Sequence, residues 1–356
     1  MTKMMTSAIA VIITIIMTKR ILAVSVAILP TKCELCPRRC GANRAAGERG
    51  VCGAARELRI ARAALHEWEE PPISVGAGSG AVFFSHCPLR CVFCQNVEIA
   101  CGNHGTDVSV DRLARIFVEL REQGAANINL VTPSHYFPFI RQAQQLLADM
   151  EDALLEQRVQ AGALSEFERK RVAKRHFELP FICNTSGYEN ASTIREYSDC
   201  IDVYLTDFRY WRDGESNAAR TYSHAPEYFD VASQALAAMA QAAGEPVFGP
   251  FGGEERLERG VVIRHLLMPG RLQESKRIID YLWHEYGSSV LYSIMNQYTP
   301  MRDFPNLPEL NHAVPEQEYD QLLDFADGLG MVDYFWQEGG AATESFIPAF
   351  DNTGVV

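Results

Sequence analysis

Short apolar runs alternate with amphipathic segments along most of the chain after residue 80. Six of these runs are apolar on both alternating faces, which is typical of buried parallel strands. They are AVFFSH (81–86), NINLVTP (127–133), FICNTS (181–186), IDVYLTDF (201–208), VVIRHLLMP (261–269) and VLYSIMNQY (290–298). A shorter run, VDYFW (332–336), is a candidate seventh strand. The pattern predicts parallel strands joined by right-handed crossovers.

Amphipathic helices are predicted between the runs. Ser109 is a candidate N-cap for the first helix. Its apolar face has i, i+3, i+4, i+7 spacing and comprises Leu113, Ile116, Phe117 and Leu120. Later helices are predicted near 231–242, 278–286 and 319–326, and residues 140–177 are predicted to form two charged helices. The layout is that of an incomplete (β/α) barrel or a doubly wound sheet, and both folds place their chemistry at the carboxyl ends of the strands.

Composition and charge narrow the class of protein. The chain has 356 residues, 47% hydrophobic and 22% charged, which excludes a disordered, fibrous or polytopic membrane protein. A net charge of −12 gives no general attraction for phosphate backbones, so no nucleic-acid partner is expected. Residues 8–29 are apolar but broken by Thr18, Lys19 and Arg20, so neither half reaches the roughly 20 residues that span a bilayer. A signal peptide, a membrane anchor and a non-native extension stay open for this stretch.

The cysteines are clustered. Eight of the ten lie between Cys33 and Cys101, and only Cys183 and Cys200 lie elsewhere. In a long acidic chain such a cluster is more typical of metal binding than of a disulfide scaffold. Metal binding requires reduced thiolates, so we expect the protein in the cytoplasm.

One cysteine group follows the first predicted strand directly. Cys87, Cys91 and Cys94 have the spacing C-x3-C-x2-C on a single loop. Three thiolates can hold three irons of a cubane iron–sulfur cluster and leave the fourth iron open to a small molecule. The alternatives are free core cysteines or a zinc site, completed by Cys101 or His104.

A second group lies upstream, at Cys33, Cys36, Cys40 and Cys52. Four thiolates suffice for a closed zinc site or a second iron–sulfur cluster, and unmetallated buried cysteines are the alternative. The segment has little apolar material, so a metal would supply folding energy. The acidic stretch that follows, residues 66–70, is predicted to be a solvated connector.

Seven stretches of the chain carry a family resemblance. They are CELCPRRCGANR (33–44), HEWEEPPIS (66–74), GSGAVFFSHCPLRCVFCQN (78–96), NINLVTPSH (127–135), NTSGYE (184–189), DVYLTDFRYW (202–211) and VIRHLLMPG (262–270). The three-cysteine loop, with Phe93 before its third cysteine, resembles the radical S-adenosylmethionine superfamily. Together the stretches, within roughly residues 31–340, resemble proteins labelled pyruvate formate-lyase activating enzyme-like.

The resemblance implies an α/β fold with a partial (β/α)6 TIM-like barrel and a small N-terminal cysteine-rich segment. The implied divisions are an apolar extension (1–30), the cysteine-rich segment (31–75), the core (76–340) and a tail (341–356). Among relatives of this kind, many carry a Gly-Gly-Glu tract after the second strand. This chain has 132–135, TPSH, there instead, and its Gly-Gly-Glu at 252–254 is predicted to be a turn.

The resemblance also implies an activity. Cys87, Cys91 and Cys94 would hold a [4Fe-4S] cluster that reductively cleaves S-adenosylmethionine to a 5′-deoxyadenosyl radical, with flavodoxin or ferredoxin as electron donor. The implied substrate is a glycyl-radical enzyme or another protein. Modification of a small molecule or peptide is the alternative enzyme activity, and a non-catalytic metal-binding module is the alternative from another class.

Polar residues at the strand ends are the predicted contacts of the cofactor. They are Ser134, His135, Asn184, Asp207, Arg264 and Gln297. For Arg264, which lies among apolar residues, the anionic partner is either the cofactor carboxylate or an internal Asp or Glu. Phe208, Tyr210 and Trp211, after the fourth strand, are predicted either to anchor a protein partner or to pack against the next helix.

Overall fold

The computed structural model describes residues 29–160, 177–212, 214, 217–337 and 348–356. Most of the predicted extension (1–30), the second half of the charged connection (161–176) and residues 341–347 of the predicted tail lie outside the described residues. Within the described part, no helix combines the length and the hydropathy that crossing a membrane requires.

Ten strands form the sheet system. Their order is β10-β9-β8-β6-β5-β4-β2-β1-β3, and β7 pairs with β8 off this path. The bounds are β1 (Leu58–His66), β2 (Ser79–Phe84), β3 (Thr106–Val108), β4 (Ile128–Val131), β5 (Phe181–Thr185), β6 (Val203–Asp207), β7 (Val247–Phe251), β8 (Glu254–Leu266), β9 (Leu291–Met295) and β10 (Phe335–Trp336).

Seven consecutive neighbours in the sheet, from β2 to β10, run parallel. Each new parallel strand is added at the same edge, and the order never reverses as it does in a doubly wound sheet. The prediction of an α/β fold with six or seven parallel strands is confirmed. In the part of the chain that is described, the edge strands β3 and β10 do not pair with each other, so the sheet is an open arc.

Three antiparallel strands were not predicted from the sequence. β1 and β3 extend the sheet beyond β2, and β7 forms a hairpin with β8. Gly252 and Gly253 turn that hairpin with φ of 62° and 94°, which confirms the turn predicted there. Because β1 lies within the predicted cysteine-rich segment (31–75), only residues 33–55 of that segment stand apart from the sheet.

Eight α-helices are described, most of them connecting the parallel strands. The bounds are α1 (Val97–Ala100), α2 (Val110–Glu122), α3 (Phe137–Gln160), α4 (Ala191–Glu196), α5 (Ala218–Ser223), α6 (Tyr228–Ala243), α7 (Leu272–Tyr286) and α8 (Glu316–Gly328). The hydroxyl of Ser109 accepts a hydrogen bond from the Arg112 amide, so the predicted N-cap of α2 is confirmed. All four residues of its predicted apolar face are buried.

The two faces of the sheet differ in chemistry. Side chains alternate along each strand, so every second residue faces the helices and the others face inward. Val82, Leu130 and Tyr204 belong to the main apolar core with the helices. The inward-facing set includes polar and charged side chains, namely Asn129, Asn184, Asp207, Arg264 and Ser293. A sheet with a polar inner face requires polar partners inside it.

The segment after β1 supplies those partners. Ile73 is fully buried and packs with inward residues of the sheet, among them Ile182 and Val262. Glu69 keeps only 9% of its side-chain surface exposed, and Glu70 is buried. The prediction that residues 66–70 form a solvated connector is therefore wrong for both carboxylates, because they lie inside the sheet, where Glu69 faces Arg264.

The last described residues pack against β1. The Asn352 amide donates to the Ala61 carbonyl at 3.0 Å, and the Ala63 amide donates to the Thr353 carbonyl at 2.9 Å. Val355 is fully buried, and its carbonyl accepts from Arg112 of α2 at 3.0 Å. Residues 348–356 of the predicted tail thus pack along β1, next to the edge strand β3.

Candidate functional site

The three-cysteine loop leaves the carboxyl end of β2. His86 and Arg90, the residues before Cys87 and before Cys91, have φ of 74° and 56°, in the left-handed region. Non-glycine residues occupy this region at an energetic cost, and such residues are concentrated at functional sites. The surrounding structure holds both turns in place and so determines the course of the loop.

The loop gathers its thiols among hydrogen-bond donors. Cys91 is buried, and the Ser223 hydroxyl donates to its sulfur at 3.0 Å. The Arg209 guanidinium lies 3.8 Å from the same sulfur. Burial raises the pKa of Cys87 to about 12 and also raises that of Cys94, and the neighbouring thiols raise both pKa values further. Such thiols ionise when a metal binds them, and donors around the sulfur suit the resulting thiolate.

Three thiols on one loop are the donor set of a cluster with three protein ligands. Among the described residues, no three His, Cys, Asp or Glu side chains are grouped closely enough to hold one metal ion. The thiolates of a cubane cluster each bind a different iron, so their sulfurs stand farther apart than the ligands of one ion. Cys101 and His104, the alternative fourth zinc ligands, lie exposed at the surface. The donor set of Cys87, Cys91 and Cys94 therefore fits an iron–sulfur cluster with an open position.

A cavity of about 210 Å³ opens beside this loop, at the carboxyl ends of the parallel strands. Four of the six predicted cofactor contacts line it, together with one cysteine of the loop. They are Cys94, Asn184, Asp207, Arg264 and Gln297. Sequential parallel strands bring their carboxyl ends to one edge, which explains why residues 113 positions apart in the chain, Asn184 and Gln297, share one wall.

Arg264 is the centre of a buried polar network in this cavity. Its Nε donates to Asp207 Oδ1 at 2.9 Å, and its Nη2 donates to Asn184 Oδ1 at 2.7 Å. Its Nη1 lies 3.3 Å from Glu69 Oε2. Of the two partners that the sequence left open for Arg264, the structure shows internal carboxylates, one from β6 and one from the segment after β1.

The network sets the charge of its members. Burial by itself would raise the pKa of Asp207, but Arg209 and Arg264 outweigh it and hold the pKa below its usual value. Burial raises the pKa of Glu69 despite the opposing charge of Arg264, and it raises the pKa of Glu70 in the same way. Asp207 is therefore the ionised carboxylate at the strand ends, and protons are held most readily at Glu69 and Glu70.

Ser134 and His135 lie away from the cavity. Both are buried in the short helical turn after β4. The Ser134 hydroxyl donates to Glu189 Oε1 at 2.9 Å, and the His135 Nε2 lies 2.9 Å from the Ser85 carbonyl. Burial lowers the pKa of His135 to about 3, so its ring is neutral. In this structure the two side chains fix the loop after β4 rather than face the cavity.

The upstream cysteines also lie outside the cavity. Cys33, Cys36, Cys40 and Cys52 belong to a segment that packs against the three-cysteine loop. The Arg38 guanidinium makes this contact, donating to the Pro88 carbonyl at 3.0 Å and to the Ser223 carbonyl at 2.9 Å. The structure thus places the two cysteine groups next to each other.

Several residues of the cavity wall were not predicted from the sequence. Glu69, Trp68 and His66 all line it, although their segment was predicted to be a connector. A charged stretch before two prolines gives no signal of burial, because only the sheet around it makes it internal. Phe208 and Tyr210, proposed above as either partner anchors or packing residues, are 1% exposed, so they pack in the core.

The chain is similar to several known proteins. No family model matches the chain. It is 24% identical over 307 residues to an uncharacterized protein of Methanocaldococcus jannaschii, covering 83% of this chain and 74% of that protein. Among solved structures it is similar to a radical SAM methyltransferase from Sphaerobacter thermophilus, with 11% identity, a TM-score of 0.42 and coverage of 73% of this chain and 66% of that one.

A second similar structure is Streptococcus suis SuiB bound to the precursor peptide SuiA. The identity is 11%, the TM-score is 0.41, and the match covers 73% of this chain and 48% of SuiB. SuiB bound to S-adenosylmethionine matches with 12% identity and a TM-score of 0.39, over 74% of this chain and 48% of SuiB. The chain thus spans less than two thirds of each of these solved chains.

Replacing Arg264 with Met should destabilise the fold strongly. The change leaves the buried carboxylates of Asp207 and Glu69 without this cation, which costs about 3–5 kcal/mol. Arg259→Met is the matched control, because Arg259 lies exposed on the same strand and its loss should cost no more than about 0.5 kcal/mol. Urea unfolding measures both. Equal midpoints for the two variants would contradict the central role of Arg264.

Replacing Glu189 with Gln should change how stability depends on pH. Burial raises the pKa of Glu189 to about 7, despite hydrogen bonds from Thr185 and Ser134 that lower it. Between its unfolded pKa of about 4.3 and this value, the folded state keeps a proton that the unfolded state has released, so stability falls as pH rises. The stability of the native chain relative to Glu189→Gln should therefore drop by about 3 kcal/mol from pH 4 to pH 8.

Urea midpoints across this pH range measure the effect of Glu189. Glu122→Gln, an exposed change of the same kind at the end of α2, is the matched control. A constant difference between the native chain and Glu189→Gln would show that Glu189 does not titrate in this window.

Proposed function

We propose that this protein is a radical S-adenosylmethionine enzyme. The observation that carries the proposal is the three-cysteine loop, which leaves the first parallel strand and opens, at Cys94, into a cavity ringed by polar strand ends. A closed structural metal site would have no use for such a cavity. A cluster with one open iron requires it, because the small molecule that binds this iron needs room.

The roles of the chain's residues follow from their positions. Cys87, Cys91 and Cys94 bind the [4Fe-4S] cluster. When bound and reduced by a low-potential donor such as flavodoxin or ferredoxin, the cluster supplies the one electron that splits S-adenosylmethionine into methionine and a 5′-deoxyadenosyl radical. Ser223 and Arg209 donate toward the Cys91 sulfur and stabilise its thiolate.

Cofactor binding falls to the polar wall of the cavity. Asn184, Asp207 and Gln297 offer amide and carboxylate groups that can hydrogen-bond to the polar groups of S-adenosylmethionine, and all three line the cavity. Arg264 holds Asp207 and Asn184 in place from behind, so it is a positioning residue. Ser134 and His135 act indirectly, by fixing the loop after β4.

Replacing Cys87, Cys91 or Cys94 with Ala should in each case abolish cluster binding. The formation of 5′-deoxyadenosine should fall at least 100-fold below that of the native chain. Each change removes one of only three thiolate ligands. Cys101→Ala is the matched control, because Cys101 is an exposed cysteine seven residues after Cys94. The measurement is anaerobic reconstitution, absorbance of the cluster, and product analysis after reduction with S-adenosylmethionine.

Retention of cluster and product in any of the three variants would contradict the ligand assignment. A native chain that binds a cluster but forms no 5′-deoxyadenosine would contradict the enzyme proposal and favour a metal-binding module.

The proposed substrate is a protein or peptide segment. The cofactor occupies the cavity of about 210 Å³ first. A separate small substrate would have little space, whereas a side chain or loop of a larger molecule can enter from outside. Trp68 lies at the cavity and is 62% exposed, which suits it to contact such a molecule. A glycyl-radical enzyme is one protein substrate of this kind.

Replacing Trp68 with Ala should lower substrate-stimulated turnover about tenfold, the effect of losing roughly 1.4 kcal/mol of binding. Trp336→Ala is the control, because Trp336 is 54% exposed on β10 but does not line the cavity. Formation of 5′-deoxyadenosine is measured with the protein fraction and, separately, the small-molecule fraction of an anaerobic extract of the source organism.

Stimulation by the protein fraction alone, reduced in Trp68→Ala but not in Trp336→Ala, supports a protein substrate. A persistent protein-centred radical signal in the same samples would specify glycyl-radical activation. Stimulation by the small-molecule fraction alone would overturn the proposal of a protein substrate.

A further inference from the structure

The upstream cysteine segment, residues 33–55, has almost no regular structure. One turn of 3-10 helix, Arg44–Ala46, is its single helical element. The buried apolar side chains of this segment are three cysteines and three alanines: Cys33, Cys36, Cys52, Ala42, Ala54 and Ala55. Alanine contributes little buried area, so apolar burial supplies little of the free energy that orders this backbone. Small segments with such a deficit are commonly stabilised by a metal.

The four thiols of the segment are gathered together. A Cβ placed on Gly50 would lie 3.2 Å from the Cys40 sulfur and 3.5 Å from the Cys52 sulfur, so both sulfurs border the same point. Cys33 lies within electrostatic reach of both Cys36 and Cys52. All four cysteines are free thiols, three of them buried and Cys40 half-buried. The grouping therefore needs an explanation other than a disulfide.

Backbone amides point at these sulfurs. The Ala54 amide donates to the Cys52 sulfur at 3.4 Å, and the Arg38 amide donates to Cys36. Amide donors of this kind surround metal-bound thiolates, whose negative charge they stabilise. A neutral buried thiol gains much less from such donors.

We propose that Cys33, Cys36, Cys40 and Cys52 bind a second metal centre, either a zinc ion or an iron–sulfur cluster. This centre is separate from the three-cysteine loop and packed against it. As placed, the four sulfurs are not closed around a single point. A single zinc ion would require the thiol side chains to turn inward, whereas the thiolates of a cluster bind different irons and stand farther apart.

The segment packs against the three-cysteine loop and supports it. Arg38 donates to the Pro88 carbonyl, and Arg90 donates in return to the Val51 carbonyl at 3.0 Å. His86 packs so closely on Gly53 that a Cβ there would lie 2.9 Å from its Nδ1. Ordering of residues 33–55 by the second metal therefore steadies the loop of the first site. This last consequence rests on the proposed function, whereas the metal centre itself does not.

The test removes the first site and asks what metal remains. The full chain with Cys87, Cys91 and Cys94 all replaced by Ala is purified anaerobically, and iron, acid-labile sulfide and zinc are measured. We expect about one zinc, or about four iron with matching sulfide, per chain. Further replacement of Cys36 and Cys52 by Ala should remove this metal. Replacement of Cys101 and Cys183, which belong to neither group, should leave it bound.

Cobalt gives a second readout that does not depend on the stability of the five-cysteine variant. Co²⁺ added to the metal-free triple variant should show thiolate charge-transfer absorption if the four upstream thiols bind one ion. A triple variant that is folded by circular dichroism, holds no stoichiometric metal and gives no thiolate–cobalt absorption would overturn the proposal. Native protein that retains the upstream metal but does not cleave S-adenosylmethionine would instead overturn the proposed function and leave the second centre standing.

Discussion

A charged side chain inside a parallel sheet has to be neutralised from within the sheet, and this requirement organises the molecule around Arg264. Its guanidinium contacts β5 through Asn184, β6 through Asp207, and the segment after β1 through Glu69. Breaking one partner away would leave an unpaired buried charge, which costs far more than the pair contributes. The residues that line the cavity are therefore held rigidly before any ligand binds, as a binding site requires.

The same constraint explains why the chain enters the sheet at residues 66–74. The inner face of a closed barrel is filled by the side chains of its own strands. Here the sheet is an open arc across the described residues, and polar strand residues such as Asn129 would be left without partners. Glu69 accepts from Asn129 at 2.8 Å, and Ile73 fills the apolar part of the same face. An internal segment thus replaces the side chains that barrel closure would supply.

The local sequence pattern was enough to predict the parallel strands and the three-cysteine loop. Runs that are apolar on both faces identified all six main parallel strands, and the cysteine spacing identified the loop that opens into the cavity. The antiparallel strand β1 was not predicted, because its sequence, LRIARAALH, mixes arginines with small apolar residues. The burial of Glu69 and Glu70 was not predicted for a related reason. A run of acidic residues has the same composition whether water or arginine surrounds it. Burial of charge depends on distant partners, and local sequence does not encode them.

The three-cysteine loop and the loop after β4 both contain left-handed residues and both contact the upstream segment. Thr132, a β-branched residue after β4, has a φ of 57°, and His86 and Arg90 after β2 are left-handed as well. These three residues lie at the carboxyl ends of two adjacent strands. Arg44, which is fully buried, donates to the Ala55 carbonyl at 2.8 Å and to the His135 carbonyl. One arginine of the upstream segment thus ties its own backbone to the loop after β4, while Arg38 ties it to the loop after β2. Because residues 33–55 contact both loops, the order of that segment affects the geometry of the cavity. The proposed second metal centre would therefore act on the site without lining it.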